Sequence, residues 1–171
     1  MRVTHLIVLM LVTLLLGACG FHLRGQGAFA LPFQTLYVKS ASDYAPFINE
    51  LKQAIQVNGV QIVDTPEEAQ LTLHIVSEAT DRQILSLSGG GRVREYRLQY
   101  RVSLRAYDSK QQDWLAAEEI TLRRDFSYDD TQVLAKEQEE NLLYQDMRGD
   151  AVQQVLRRLN HVKPPPQPAP Q

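Results

Sequence analysis

A strict alternation of apolar and polar residues between positions 96 and 107 limits the fold more than any other feature of the sequence. The apolar series is Tyr96, Leu98, Tyr100, Val102, Leu104 and Ala106. The polar series is Arg97, Gln99, Arg101, Ser103, Arg105 and Tyr107. Because successive side chains of a β-strand point to opposite faces, this period predicts a strand that is buried on one face only. The chain is therefore expected to form a sheet with a second layer packed on one side.

Shorter patterns around this strand predict its neighbours. Residues 108–113 are polar and are expected to turn the chain, so the next strand is predicted to pair as a hairpin. Residues 65–69 indicate a turn or a single helical turn, and residues 88–91 indicate a glycine-rich loop. The other predicted strands are Thr35–Val38, Val60–Val63, Leu71–Val76, which is open to extension as far as Leu87, and Trp114–Phe126.

Two segments have the apolar spacing of helices. The first, Ser42–Asn58, is expected to end at Gly59, because glycine tolerates the left-handed conformation. The second is Asp130–Leu159, whose predicted apolar stripe contains Leu142, Leu143, Met147, Ala151, Val152, Val155, Leu156 and Leu159. The predicted fold class is α+β: a two-layer sandwich with two helices packed on one face of a mixed four- to five-stranded sheet.

The amino terminus predicts export and lipid anchoring. Arg2 precedes the apolar run Leu6–Leu16, which is too short to span a bilayer, and small residues then lead to Cys19. Residues 16–19, LGAC, resemble the lipobox of bacterial lipoproteins, in which the cysteine thiol is acylated and the chain is cut just before it. Cys19 is the only cysteine of the chain, so it cannot form an intramolecular disulfide. The alternative is an ordinary secretory leader with a chance cysteine.

The sequence divides into four predicted segments. They are a lipoprotein signal peptide (1–18), a lipidated tether (19–30), one folded domain (31–162) and a disordered proline-rich tail (163–171). Gly20 stands where lipoproteins retained at the inner membrane commonly carry aspartate, so analogy favours the outer membrane, on its periplasmic side.

Composition argues against nucleic-acid binding and against catalysis. The formal net charge is −2, from 18 basic and 20 acidic side chains, which is not the balance of a nucleic-acid binder. Outside the leader and the tail border only His22 and His74 remain, and no cluster has the spacing of metal ligands. The adjacent acids Glu67-Glu68 and Asp129-Asp130 diverge in a helix and do not form a catalytic pair. We predict no catalytic residue, metal or cofactor.

Three segments together resemble the LptE family of lipopolysaccharide-assembly lipoproteins. They are residues 20–25 (GFHLRG), residues 95–98 (EYRL) and residues 134–137 (LAKE). The resemblance extends over nearly the whole chain after Cys19. It implies a domain that sits as a plug inside the LptD β-barrel of the outer membrane, helps that barrel to assemble, and binds lipopolysaccharide during its delivery to the cell surface.

The resemblance also implies two cations that contact lipopolysaccharide. Lys136 matches the lysine of the family's last helix, whereas the loop cation of the family falls near Gly89 here, so Arg92 is the nearest candidate. Taken from the residues alone, Arg92 and Arg94 are equally explained as solubilising loop charges, and Lys136 as part of a solvated helix start.

Three alternatives stay open at this point. The arginines at 97, 101 and 105 lie on one strand face, where they suit lipid A phosphates or a barrel wall, or simply form a solvated surface. The domain is alternatively a lipid-anchored scaffold that binds peptidoglycan or an envelope protein. A lipid-anchored hydrolase would have to use His74 or His22.

Overall fold

The structure, a computed structural model, describes residues 29–42 and 45–163. The predicted signal peptide, Cys19, His22 and the proline-rich tail after Lys163 lie outside the described residues.

A mixed five-stranded sheet carries two helices on one face, which confirms the predicted fold class. Its strand order is β2-β1-β3-β4-β5. β1 is parallel to both β2 and β3, whereas β4 is antiparallel to both β3 and β5. The elements in chain order are β1 (Thr35–Lys39), α1 (Pro46–Val57), β2 (Gln61–Ile62), a short 3-10 turn (Pro66–Glu68), β3 (Leu71–Leu87), β4 (Val93–Tyr107), β5 (Asp113–Ser127) and α2 (Val133–Asn160).

Both helices begin later than their apolar spacing predicts. Pro46 is the first residue of α1, because proline lacks the N–H that an interior helical position needs. Gly59 adopts a φ of 83° just beyond the end of α1, as expected. Before α2, the Asp129 carboxylate accepts hydrogen bonds from the backbone N–H and the hydroxyl of Thr131, which holds the chain in a turn. The second helix therefore starts at Val133 rather than Asp130.

The core lies between the helices and the inner face of the sheet. Tyr96 is partly buried, and the other five members of its apolar series are buried, so the alternation predicts the face correctly. Phe47 of α1 meets the Tyr100 ring edge-on, with 6.3 Å between ring centroids. Leu142, which lies beside the apolar series of α2, is 61% exposed, and the buried residues of this helix begin at Met147.

The sheet extends well beyond β1. β3 pairs with β1 only through Leu71–His74, and its remaining residues pair with β4 alone. The far part of β3, β4 and β5 thus forms a three-stranded extension, which we call the distal arm (77–87, 93–103 and 119–127). The amino-terminal half of α2 lies along it, where Tyr144 donates a hydrogen bond to the Asp81 carbonyl at 3.0 Å and Arg82 pairs with Glu140 at 2.9 Å.

No described helix covers the opposite side of the sheet, which we call the open face. Strand register places polar side chains on this face of all four longer strands. They include Tyr37, Lys39, Thr72, His74, Arg97, Arg101, Arg105, Tyr107, Glu119, Arg123 and Asp125. A sheet with one packed and one polar face is the usual result of antiparallel pairing.

Candidate functional site

The loop between β3 and β4 places Arg92 at the end of the distal arm. A tight turn forms here: the Arg92 backbone N–H donates to the Ser88 hydroxyl at 3.1 Å, and Gly91 adopts a φ of 79°. The Arg92 side chain is 75% exposed, and its Nη1 lies 3.3 Å from Asp130 Oδ2. The structure therefore brings the predicted loop cation to the segment that precedes α2.

Lys136 lies at the same end of the molecule but in a more enclosed position. Its side chain is only 16% exposed. The Lys136 ammonium donates to Ser127 Oγ at 3.3 Å and to Glu139 Oε2 at 2.8 Å. Packing of the first turn of α2 against the end of β5 causes this enclosure, so Lys136 is not a freely solvated helix-start charge.

A shallow polar cavity of about 320 Å³ separates the loop from the start of α2. Arg92 and Arg94 line one wall, and Tyr128, Asp129 and Asp130 line the other. Hydrogen bonds from the Thr131 backbone and hydroxyl lower the pKa of Asp129. The wall facing the arginines is thus anionic, and an anionic ligand has to compete with Asp130 for Arg92.

Exposed apolar side chains lie at the same end of the distal arm as these cations. They come from the end of β3 and from the first turn of α2, and are between 40% and 77% exposed. The members are Ile84, Leu85, Leu87, Val133 and Leu134. We call this end of the molecule, with Arg92, Arg94 and Lys136, the arm tip. Basic groups beside solvent-exposed apolar groups make a surface that suits an anionic amphiphile.

The three arginines of the β4 stripe differ in their surroundings. Arg97 makes a two-point hydrogen bond to Asp125, with both distances 2.8 Å, and this contact raises the pKa of the guanidinium. Arg105 lies 3.4 Å from Asp113 and covers the Tyr107 ring at 4.5 Å. Arg101 has no carboxylate partner among the described residues. Two members of the stripe are therefore occupied in cross-strand pairs.

His74 sits on the open face between two cations. Its register partners are Lys39 on β1 and Arg105 on β4. Burial, followed by the positive charges of Lys39 and Arg105, lowers the pKa of His74 below its ordinary value of 6.5. The imidazole is therefore neutral at pH 7. No group of three or more metal-ligating side chains occurs in the described ranges.

A second cavity, of about 390 Å³, lies at the other end of the open face. Tyr37, Lys39, Thr72 and Tyr107 come from the sheet, and the Pro66–Glu68 turn and the β4–β5 turn supply the walls. Sequence reasoning missed this cavity. The alternation places Tyr107 on the polar face, but nothing in the sequence indicates that a turn some 40 residues earlier lies beside it.

The fold and these surfaces define an open-faced, two-layer α+β binding domain with a basic and apolar end. Within the described residues, no helix is long and apolar enough to cross a membrane. A family model described as LptE, lipopolysaccharide-assembly, matches residues 33–159. The chain belongs to the LptE family.

Similar proteins agree with this assignment. The chain is 29% identical over 154 residues to the LPS-assembly lipoprotein LptE of Pectobacterium atrosepticum, covering 90% of this chain and 83% of the relative. It is 30% identical over 159 residues to the protein of the same name from Yersinia enterocolitica, covering 90% and 74%. The solution structure of lipoprotein B from Nitrosomonas europaea has a TM-score of 0.69 and 39% identity, covering 81% of this chain and 88% of that chain.

Family membership answers part of what the sequence left open. The chain is a non-enzymatic outer-membrane lipoprotein of lipopolysaccharide transport, which removes the hydrolase alternative.

Proposed function

We propose that this chain is the lipid-anchored subunit that occupies the lumen of the LptD β-barrel, helps that barrel to assemble, and binds lipopolysaccharide on its way to the cell surface. The observation that carries the proposal is the arm tip, where three cations lie among five exposed apolar side chains.

Lipopolysaccharide is an amphiphile with phosphates beside acyl chains, so a binding surface needs both kinds of contact. Arg92 and Arg94 offer guanidinium groups that suit phosphate oxygens, and Lys136 offers a point charge. The apolar groups, of which Leu134 at 77% is the most exposed, offer a surface for acyl chains. Burial of apolar area contributes about 25 cal/mol per Å², so even partial cover of these side chains stabilises the complex.

The present partners of the cations favour transient binding. The Arg92–Asp130 ion pair is exposed on both sides, and such pairs contribute about 0–1 kcal/mol. A phosphate group can therefore replace Asp130 at low cost and be released again. Lys136 is held more firmly, because Ser127 and Glu139 both contact its ammonium group. Arg92 is the cation that exchanges partners, and Lys136 is the fixed one.

The open face supports a position inside a barrel. Barrel interiors are polar, and this face presents paired and unpaired charges rather than an apolar surface. Residues 19–30 measure about 40 Å when fully extended, at 3.3 Å per residue, so an anchored chain has enough length to reach into a lumen.

Reversing the two assigned cations is expected to weaken lipopolysaccharide binding at least tenfold. In the variant with Arg92→Asp and Lys136→Asp, both attractive contacts become repulsive. Arg92 is 75% exposed, and Lys136, although enclosed, lies in the first turn of α2 outside the apolar core, so the fold is expected to persist. Binding of fluorescently labelled lipopolysaccharide to the mature chain measures the affinity, and circular dichroism checks the fold.

A matched control makes the same charge change elsewhere. Lys52→Asp with Arg123→Asp alters one residue on α1 and one on the open face, away from the arm tip, and should leave the affinity within about twofold. Equal affinities of the two double variants, or an unchanged affinity of the first, would remove Arg92 and Lys136 from the site.

Affinity capture of the lipidated chain from its own host, after mild detergent extraction, is expected to recover a β-barrel protein of high mass in equal amount. A domain held inside a lumen is enclosed by its partner, so the complex should survive washing with salt. Recovery of peptidoglycan or of a soluble envelope protein without any barrel would favour the scaffold alternative and contradict the plug.

A further inference from the structure

The cavity of about 390 Å³ on the open face belongs to none of the surfaces used so far. It is roughly 40 Å from the arm tip, since about 13 residues of β4 separate them at 3.4 Å per residue. Its volume is within the range of about 300–1,000 Å³ that ligand sites occupy. The arm tip and this cavity therefore offer two separate places for a ligand.

A row of basic groups crosses the sheet beside this cavity. Lys39, His74 and Arg105 are direct register partners on three adjacent strands, which lie about 4.8 Å apart. The Lys39 ammonium lines the cavity and has no carboxylate partner among the described residues. Arg105 Nε is buried, and Nη2 of the same side chain lies 3.4 Å from Asp113, so Arg105 contributes positive charge to the row rather than a free donor. Lys39 is therefore the member of the row that can donate to an anion.

The charge state of His74 reflects this positive surrounding. Burial and the two flanking cations hold its pKa below 6.5. The charged groups facing the row are Lys39 on β1, Arg105 on β4 and Asp113 on β5, and the last is already shared with Arg105. An anion bound over the row would offset the cations and raise the pKa of His74.

The rest of the cavity has a different chemistry. The Tyr37 ring provides a partly apolar wall, whereas Tyr107, buried and covered by the Arg105 guanidinium, forms part of the floor with Thr72. Glu67 and Asp108 stand on the turns, where carboxylates accept hydrogen bonds from hydroxyl groups but repel phosphate. A ligand that fits both halves has an anionic group at one end and several hydroxyls at the other.

We propose that this cavity and the Lys39–His74–Arg105 row bind a phosphorylated saccharide, with its phosphate over the row and its hydroxyls toward Glu67 and Asp108. This inference rests on the proposed function, because lipopolysaccharide is the molecule that would supply the phosphorylated saccharide. It adds a second contact, for the sugar part, at the end of the sheet far from the acyl-binding arm tip.

An NMR titration of the mature chain tests the proposal through the His74 imidazole. The probe is the phosphorylated oligosaccharide obtained from lipopolysaccharide by removal of its acyl chains. We expect saturating probe to raise the pKa of His74. As the pH falls below 6.5, His74 is protonated in the unfolded chain before it is protonated in the folded chain. The free protein therefore loses folding stability as the pH falls, and bound probe should reduce that loss.

Two variants separate this site from a general charge effect. Lys39→Gln removes an exposed, unpaired cation without disturbing the sheet, and should weaken probe binding at least fivefold. Lys52→Gln, on α1, should leave it unchanged. A probe-induced shift that is the same in both variants, or no shift in the wild-type chain, would overturn the site.

Further probes identify the ligand. Inorganic phosphate and the dephosphorylated oligosaccharide should each bind at least tenfold more weakly than the phosphorylated one, and equal binding of inorganic phosphate would overturn the saccharide part. The Arg92→Asp, Lys136→Asp variant should show the same probe-induced shift of the His74 pKa as the wild-type chain, because neither residue lies near the row. If intact lipopolysaccharide binds the chain but the acyl-free probe does not shift His74, this inference fails alone; if intact lipopolysaccharide does not bind, the proposed function fails.

Discussion

Replacing Phe47 with alanine is expected to lower the free energy of unfolding by about 3–5 kcal/mol. Phe47 is fully buried, and it is the aromatic contact between α1 and the centre of β4 through the Tyr100 ring. The loss combines the transfer of a large apolar group with a cavity that the rigid sheet cannot close. Urea denaturation followed by circular dichroism should show a lower midpoint with a similar slope.

The same helix offers a control for this change. Val57 lies on the last turn of α1 and is 66% exposed, so Val57→Ala removes apolar atoms that make little contact. Its free energy of unfolding should change by no more than about 0.5 kcal/mol. If Phe47→Ala lowered the free energy of unfolding no more than Val57→Ala does, the described packing of α1 against β4 would be contradicted.

Much of the sheet follows from local pattern, because a half-buried strand records its buried face in every second residue. The series from Tyr96 to Ala106 predicts both the strand and its inner face, and register pairs Tyr100 with Thr80 and Leu122 on its two neighbours. β3 continues well beyond the apolar run that begins at Leu71. Past Ile75, pairing with β4 keeps the chain in a strand, although its own side chains no longer show the pattern of one. A polar half of a strand carries no periodic signal of its own.

Helix bounds were less accurate for a different reason. Apolar spacing reports which face a helix buries but not where its hydrogen bonding begins. The start of α1 depends on Pro46, and the start of α2 depends on the turn at Asp129. Leu142 has the right spacing for burial yet is exposed, because only the second half of α2 covers the wide part of the sheet. Its first half lies along the narrower arm.

Arg92 and Lys136 stay predictions as lipopolysaccharide contacts, and the sequence did not predict their geometry. Sequence pointed to Arg92 and Lys136 as cations at two loop–element junctions. It gave no sign that Asp130 pairs with Arg92 or that Ser127 receives Lys136, because these contacts join parts of the chain that only the folded arm brings together. The row of Lys39, His74 and Arg105 was missed for the same reason: strand register alone aligns these three residues.

Changing Cys19 to serine is expected to abolish lipid anchoring in the outer membrane. Serine has no thiol to form the thioether, so neither acylation nor the coupled cut before residue 19 can follow, and residues 1–18 stay on the chain. Even a single acyl chain binds reversibly, with an association constant of about 10⁴ M⁻¹, so without its lipid the fraction of the protein in the outer membrane should fall by orders of magnitude. Fractionation of the host with immunodetection, and mass spectrometry of the amino-terminal peptide, measure both effects.

The neighbouring residue supplies a control that keeps the lipid. By analogy with retained lipoproteins, Gly20→Asp should leave the chain acylated but move it from the outer to the inner membrane, where it cannot meet an outer-membrane barrel. The two variants therefore separate lipid anchoring from the choice of membrane: the first abolishes acylation and leaves the leader uncut, and the second changes only which membrane is occupied. Wild-type protein that retained residues 1–18, or that carried an unmodified thiol at Cys19, would contradict both predictions and leave the arm tip and the cavity of the open face as properties of an unanchored domain.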